Sequence, residues 1–154
     1  MKNLLVPFFC LLLMSALRGQ QELTGPITPE DLFLKFPEWR AVAAAYAPGP
    51  EAIDRLRAVS REVLVEVVLG TWCDDSKSHV SEFLKVLEVV DNPLIRATYV
   101  GVPEDKTKRA PYLQGKDIVK IPTFLVHIDG AEKGRIIENP VKTIEDDLLA
   151  IIEK

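Results

Sequence analysis

Two cysteines and two histidines are all that this 154-residue chain carries of the soft and switchable ligands. Such scarcity rules out a disulfide-dense scaffold, and no Cys/His/Asp cluster has zinc-ligand spacing. Glycine is sparse too, and no glycine-rich loop offers a nucleotide-phosphate cradle. Glu104-Asp105-Lys106 reads as a solvated loop rather than a metal site, so neither a metal nor any other cofactor is implied. Charge of one sign never accumulates: 19 basic and 23 acidic residues are scattered to a net charge of −4. A nucleic-acid or anionic-membrane surface is therefore not expected. Nor is there an apolar run of the roughly 20 residues that a bilayer span requires.

What the chain does have is a 47% hydrophobic composition, ample for one packed core. Its first residues read as a secretory signal: Lys2 gives a positive start, residues 4–14 an apolar stretch, and residues 15–19 a small-residue end. Cleavage is expected near Gly19, although Leu17-Arg18-Gly19 is an imperfect site and a retained anchor is the alternative. The expected product is exported, periplasmic or secreted, with no membrane span in the mature chain. Acylation of Cys10 is set aside because Phe8-Phe9 precede it. Cys10 would leave with the signal, and Cys73 would then be the lone thiol of the mature protein. An unpaired cysteine in an oxidising compartment needs either burial or use.

Thr28-Pro29-Glu30-Asp31 has the order of a helix start, with a hydroxyl cap, proline at the first turn and acids behind it. Pro37 restarts the helix, Pro48-Gly49-Pro50 stops it, and residues 51–59 make another short one. These form a helical N-terminal extension over residues 20–60, in which Phe33, Phe36 and Trp39 are expected to pack inward. Residues 61–154 form the main domain. Residues 63–69 are almost continuously apolar and β-branched, as in a strand buried on both faces. Val80, Phe83, Leu84, Leu87 and Val90 then recur at helical spacing. A second strand over residues 94–102 implies a parallel, right-handed crossover, and residues 106–113 suggest a short helix. Residues 123–128 and 135–138 are joined across Asp129-Gly130 as a hairpin, and Thr143 caps a last amphipathic helix. The expected class is α/β, with βαβ followed by ββα in a mixed central sheet with flanking helices.

Cys73 falls between the first of these strands and its helix, where unpaired backbone N–H groups and the helix dipole favour an anion. A free cysteine, with pKa about 8.5, is only about 3% thiolate at neutral pH. Asp74 and Asp75 stand beside it and oppose a second negative charge, so modest activation is expected.

The turn Gly70-Thr71-Trp72-Cys73-Asp74-Asp75-Ser76 after a buried strand, with Ile121-Pro122-Thr123 ahead of the hairpin, resembles the thioredoxin superfamily. The resemblance covers roughly residues 60–154, and the chain as a whole is similar to exported bacterial thioredoxin-family proteins with a Thr-Trp-Cys-x-Asp-Ser turn. It implies the thioredoxin fold, Cys73 as the attacking cysteine, Trp72 as the aromatic beside it, and Pro122 as a cis-proline. The backbone of Ile121 would pair with bound substrate. Two departures stand out. Ser76 occupies the place of the resolving cysteine, so a mixed disulfide on Cys73 would need an external thiol for release. Ser76 either donates a hydrogen bond to the Cys73 sulfur or is simply a polar residue of the first turn. The buried aspartate usual six residues before the cysteine is Val67 here, and Glu66 points to the opposite sheet face.

His79, nearly two helical turns beyond Cys73, is expected to be solvated, and His127 to be structural. The leading expectation is a monothiol thiol-disulfide oxidoreductase or isomerase-like protein. Its partners would be protein or small-molecule disulfides and an external thiol reductant. A redox-poor binding module using the groove at Pro122 is the alternative. A thiol peroxidase is weaker still, because Thr71-x-Cys73 lacks the threonine spacing of that chemistry.

Overall fold

A computed structural model describes residues 22–154. The expected signal segment and Cys10 lie outside the described residues. The elements run β1 (Gly25–Ile27), α1 (Pro29–Lys35), α2 (Pro37–Ala45), α3 (Pro50–Arg57), β2 (Val63–Leu69), α4 (Asp74–Val90) and β3 (Ile95–Gly101). A single 3-10 turn (Lys106–Lys108) follows, then α5 (Ala110–Leu113), β4 (Thr123–Ile128), β5 (Ala131–Ile137) and α6 (Ile144–Ile152).

Local chemistry explains most of these bounds. The Thr28 hydroxyl accepts from the Asp31 N–H while the Asp31 carboxylate takes the Thr28 N–H, a reciprocal cap with Pro29 just inside. Pro37 and Pro50 each open the next helix. Thr143 caps α6 through the Asp146 N–H. The strands assemble as a five-stranded mixed sheet in the order β1-β3-β2-β4-β5. β2 is central, parallel to β3 and antiparallel to β4, as expected of its apolar run.

The long helices share one face of this sheet. Val63, Val65, Val67 and Leu69 point there, into a core with Leu32, Phe36 and Trp39 from α1 and α2 and the junction between them, Ile53 and Leu56 from α3, Val80 and Phe83 from α4, and Leu148 from α6. Phe83 and Phe124 meet edge to face with ring centroids 5.2 Å apart. The N-terminal helices are thus structural members of the main core. Burying side chains such as Trp39 and Leu56 completely is worth about 2 to 3 kcal/mol each.

Residues of the opposite parity on β2 face the other way. Val68 meets Val102, Ile121 and Leu125 in a small second core closed by Trp72, Cys73, Tyr112, Leu113 and Ile118. Among the described residues, the segment between β3 and β4 is what covers this face. Its lower half carries Leu64, Arg96 and Thr98, all exposed.

Three expectations need correction. The N-terminal extension is not wholly helical, because β1 pairs antiparallel with β3, Gly25 opposite Gly101 and Ile27 opposite Tyr99. Three residues with a proline give no periodicity, and such a proline suits an edge strand. The second hairpin strand begins at Ala131 rather than Arg135, directly after a two-residue turn in which Asp129 and Gly130 both have positive φ (51° and 79°). Finally, His79 is not solvated. Its ring nitrogens lie 2.8 Å from Glu82 Oε2 and 3.0 Å from Asn139 Oδ1, tying α4 to the loop after β5.

Candidate functional site

Cys73 occupies the N-cap position of α4, with extended backbone (φ −99°, ψ 125°) and no side chain capping the first turn. The chain reaches it through a tight turn closed by the Cys73 N–H to the Gly70 carbonyl at 3.0 Å. Gly70 is required there by close approach. A Cβ on it would lie 2.7 Å from Trp72 Cε2 and 2.8 Å from Ile121 Cδ1. Cys73 itself is half-buried and is the free cysteine among the described residues.

Across the turn stands the segment before β4. The Ile121-Pro122 peptide bond is cis, and the Cys73 thiol lies 3.8 Å from the Ile121 carbonyl oxygen, a contact between positions 48 apart in sequence. The Pro122 carbonyl is taken by the Glu138 N–H at 2.7 Å, while the Thr123 hydroxyl donates to the Lys120 carbonyl at 2.6 Å. The side chains of Ile121 and Pro122 are buried. What remains reachable is the half-exposed pair Trp72 and Cys73, with Val119 exposed two residues before Ile121. Trp72 is fixed from two sides: its indole N–H donates to the Val102 carbonyl at 3.1 Å, and the Arg109 guanidinium stacks over its ring at 5.1 Å.

The structure therefore brings Cys73, Trp72, Ile121 and Pro122 together. Ser76 is fully buried, and its hydroxyl accepts from the Gly70 N–H at 3.2 Å, so it bonds the end of β2 to the first turn of α4. Among the described residues its hydrogen-bond partner is Gly70, not the Cys73 thiol. Asp74 is exposed and pairs with Lys77 at 2.7 Å. The hydrogen bond from Lys77, then its charge, hold the Asp74 carboxyl below the usual carboxylate range. Part of the negative charge expected beside the thiol is thus matched within the same helical turn.

Val67 is buried on the large-core face, between Tyr99 of β3 and Phe124 of β4. Glu66 faces away from Val67, as strand alternation requires, and that is the side on which the cluster around Cys73 lies. Its carboxylate is occupied by Lys116 at 2.6 Å, and His127 Nε2 sits 2.9 Å away, off the line of a hydrogen bond. Sequence reasoning missed Lys116 and Arg109, both from the poorly patterned segment between β3 and β4. It also missed Thr71, whose buried hydroxyl accepts the Leu23 N–H at 3.2 Å and ties the residues before β1 to the turn that carries Cys73. The glycine immediately before the turn was the one available signal of close packing.

No family model matches the chain, and no curated protein matches it. Solved structures do. One is the crystal structure of an HIV epitope scaffold, at 17% identity and TM-score 0.64, covering 84% of this chain and 93% of that one. Another is a 1.5 Å crystal structure of a protein of unknown function from Pseudomonas aeruginosa, at 17% identity and TM-score 0.57, covering 82% of this chain and 98% of that one. At that identity the likeness is one of fold alone.

Proposed function

We propose that the chain is a thioredoxin-fold protein of monothiol type, in which Cys73 exchanges disulfides and an outside thiol completes each cycle. The observation that carries this reading is the contact between the half-exposed Cys73 sulfur and the Ile121 carbonyl. It joins the strand-to-helix turn to the segment entering β4, and so supports both halves of the motif resemblance at once.

The chemistry needs one nucleophile. Cys73 as thiolate attacks one sulfur of a substrate disulfide, forming a mixed disulfide and releasing the other sulfur as a thiolate. A second, external thiol then attacks the substrate sulfur of the mixed disulfide and displaces the Cys73 thiolate. Among the described residues no second thiol can do this, because position 76 is a serine committed to Gly70. Cys73 stands at the N-cap of α4, where no side chain caps the first turn. Of the Ile121 backbone, the carbonyl faces Cys73, and the N–H has no hydrogen-bond acceptor among the described residues. That N–H is the donor which pairing with an extended substrate would use. Export of the mature chain belongs to the same proposal, since disulfide substrates persist outside the reducing cytosol.

The test is trapping. The purified protein is mixed with a disulfide-bonded peptide and quenched in acid, and intact masses are read. A Cys73 adduct that disappears on adding glutathione, and that a Cys73→Ser variant does not form, supports the reading. A protein that binds the peptide equally well with Cys73→Ser and forms no adduct is a binding module instead.

A further inference from the structure

Away from Cys73, α1, α2 and α4 enclose a groove of about 630 Å³ above the sheet, within the size range of small-molecule sites. Its walls are apolar: Phe33 from α1, Ala43 and Ala44 from α2, Leu84 and Leu87 from α4. Two polar groups in its lining lack protein partners. Tyr99 lies on β3 beneath these helices and is 8% exposed; its hydroxyl makes no hydrogen bond among the described residues and is reached by solvent. At the lip, the Arg40 guanidinium stacks on the Phe33 ring at 4.8 Å and has no carboxylate partner among the described residues. The other cation of the rim, Lys85, is matched by Glu88 at 3.2 Å.

The charges give the ligand a direction. Arg40 is the unmatched cation of this lining among the described residues and favours an anionic group, while Tyr99 offers an uncharged donor. We propose that this groove binds a small amphipathic carboxylic acid. The carboxylate sits on Arg40, the acyl or aryl body lies along Phe33, Leu84 and Leu87, and an uncharged oxygen on that body takes the hydrogen bond of Tyr99. The site is independent of Cys73 and of the exchange reaction.

Titration calorimetry on the purified protein tests this, with decanoate, hydroxydecanoate, decanol and decylamine as probes below their aggregation limits. Decanoate should bind roughly tenfold more tightly than decanol or decylamine, the gain of one charge-assisted hydrogen bond. Hydroxydecanoate should gain a further severalfold with the hydroxyl placed to reach Tyr99. Arg40→Gln, at an exposed position, should bring decanoate to the affinity of decanol, and Tyr99→Phe should remove only the hydroxyl's gain. Ala44→Trp, an exposed helix position on the groove wall, should abolish binding of all four probes while thermal melts show the fold intact. Failure of decanoate to saturate the folded protein would overturn the proposal. So would binding that Ala44→Trp and Arg40→Gln leave unchanged.

Discussion

The phenolic hydroxyl of Tyr46 donates to the carboxylate of Glu145 at 2.7 Å, joining the end of α2 to the first turn of α6 across 99 positions of chain. The other carboxylate oxygen accepts the Gly49 N–H at 2.8 Å, and the Glu145 side chain is almost wholly buried. Glu145→Ala strands both donors and should cost about 1 to 3 kcal/mol of unfolding free energy. Glu145→Gln, which keeps one acceptor, should cost less. Denaturant melts decide it, and an Ala variant as stable as the parent would mean that the loop at Tyr46 stands without this link.

Alkaline pH should weaken the fold through two phenols. Burial raises the Tyr46 hydroxyl above the ordinary tyrosine range, with the Glu145 hydrogen bond and charge adding to it. Burial, then the charge of Glu30, does the same for Tyr99. A group whose folded pKa exceeds its unfolded one contributes fully below the unfolded value, about 10 for tyrosine, and loses that contribution as pH rises toward the folded value. Stability should therefore decline above about pH 10. The double variant Tyr46→Phe with Tyr99→Phe should decline less steeply over the same range. Equal slopes for parent and variant would show that neither phenol is held.

Gly70→Ala should disturb the turn that carries Cys73 directly. The new methyl would overlap the Trp72 ring and the Ile121 side chain, and overpacking of this kind costs about 1 to 3 kcal/mol. Because both neighbours flank Cys73, the alkylation rate of the thiol should change as well. Unaltered stability and rate would mean that Trp72 swings away freely, against its bond to Val102.

Substitution at Ser76 separates structure from chemistry. Ser76→Ala removes the acceptor of the Gly70 N–H and should cost about 1 to 2 kcal/mol, yet leave adduct formation at Cys73 in place. Ser76→Cys should raise insulin-type disulfide reduction, because a second sulfur can then resolve the adduct. If the wild type already matches that variant without added monothiol, the monothiol reading fails.

Neutralising the acids beside the thiol should speed its alkylation. Asp74→Asn frees Lys77 from its ion pair, and Asp75→Asn removes a second anion. Screening by solvent and salt limits the combined gain to about two- to threefold near neutral pH. The melting midpoint should fall slightly, since both acids sit at a helix N-terminus. A slower reaction in the double variant would show that the carboxylates assist the sulfur.

Where physical periodicity was strong, the sequence was enough to read the fold. Val63–Leu69 could hardly be other than a buried strand, and Thr28 and Thr143 announce helix starts through oxygens that cap the first turn. The strand at Gly25–Ile27 was invisible because it exists only through its pairing with β3. The early part of β5 was missed because Ala131, Glu132 and Lys133 are exposed edge residues with no apolar alternation. The site was half legible. Cys73, Trp72, Ile121 and Pro122 come from two short motifs and the resemblance they carry, whereas the commitments of Ser76 to Gly70, Arg109 to Trp72 and Lys116 to Glu66 depend on tertiary distances that no spacing encodes.

The helices before β2 bury Leu32, Trp39 and Leu56 in the same core as α4, β4 and α6. That has a consequence for the order in which the chain can fold. During vectorial synthesis these first helices emerge with their apolar faces uncovered, and their partners on the sheet and on α6 follow as much as about a hundred residues later. At typical elongation rates of about 5 to 20 residues per second, their greasy faces wait several seconds for cover. Because the partners lie so far along the chain, the closing contacts are non-local and slow to form. The helices before β2 are therefore the elements whose apolar residues wait longest for cover, although in the finished molecule Leu32, Trp39 and Leu56 are buried.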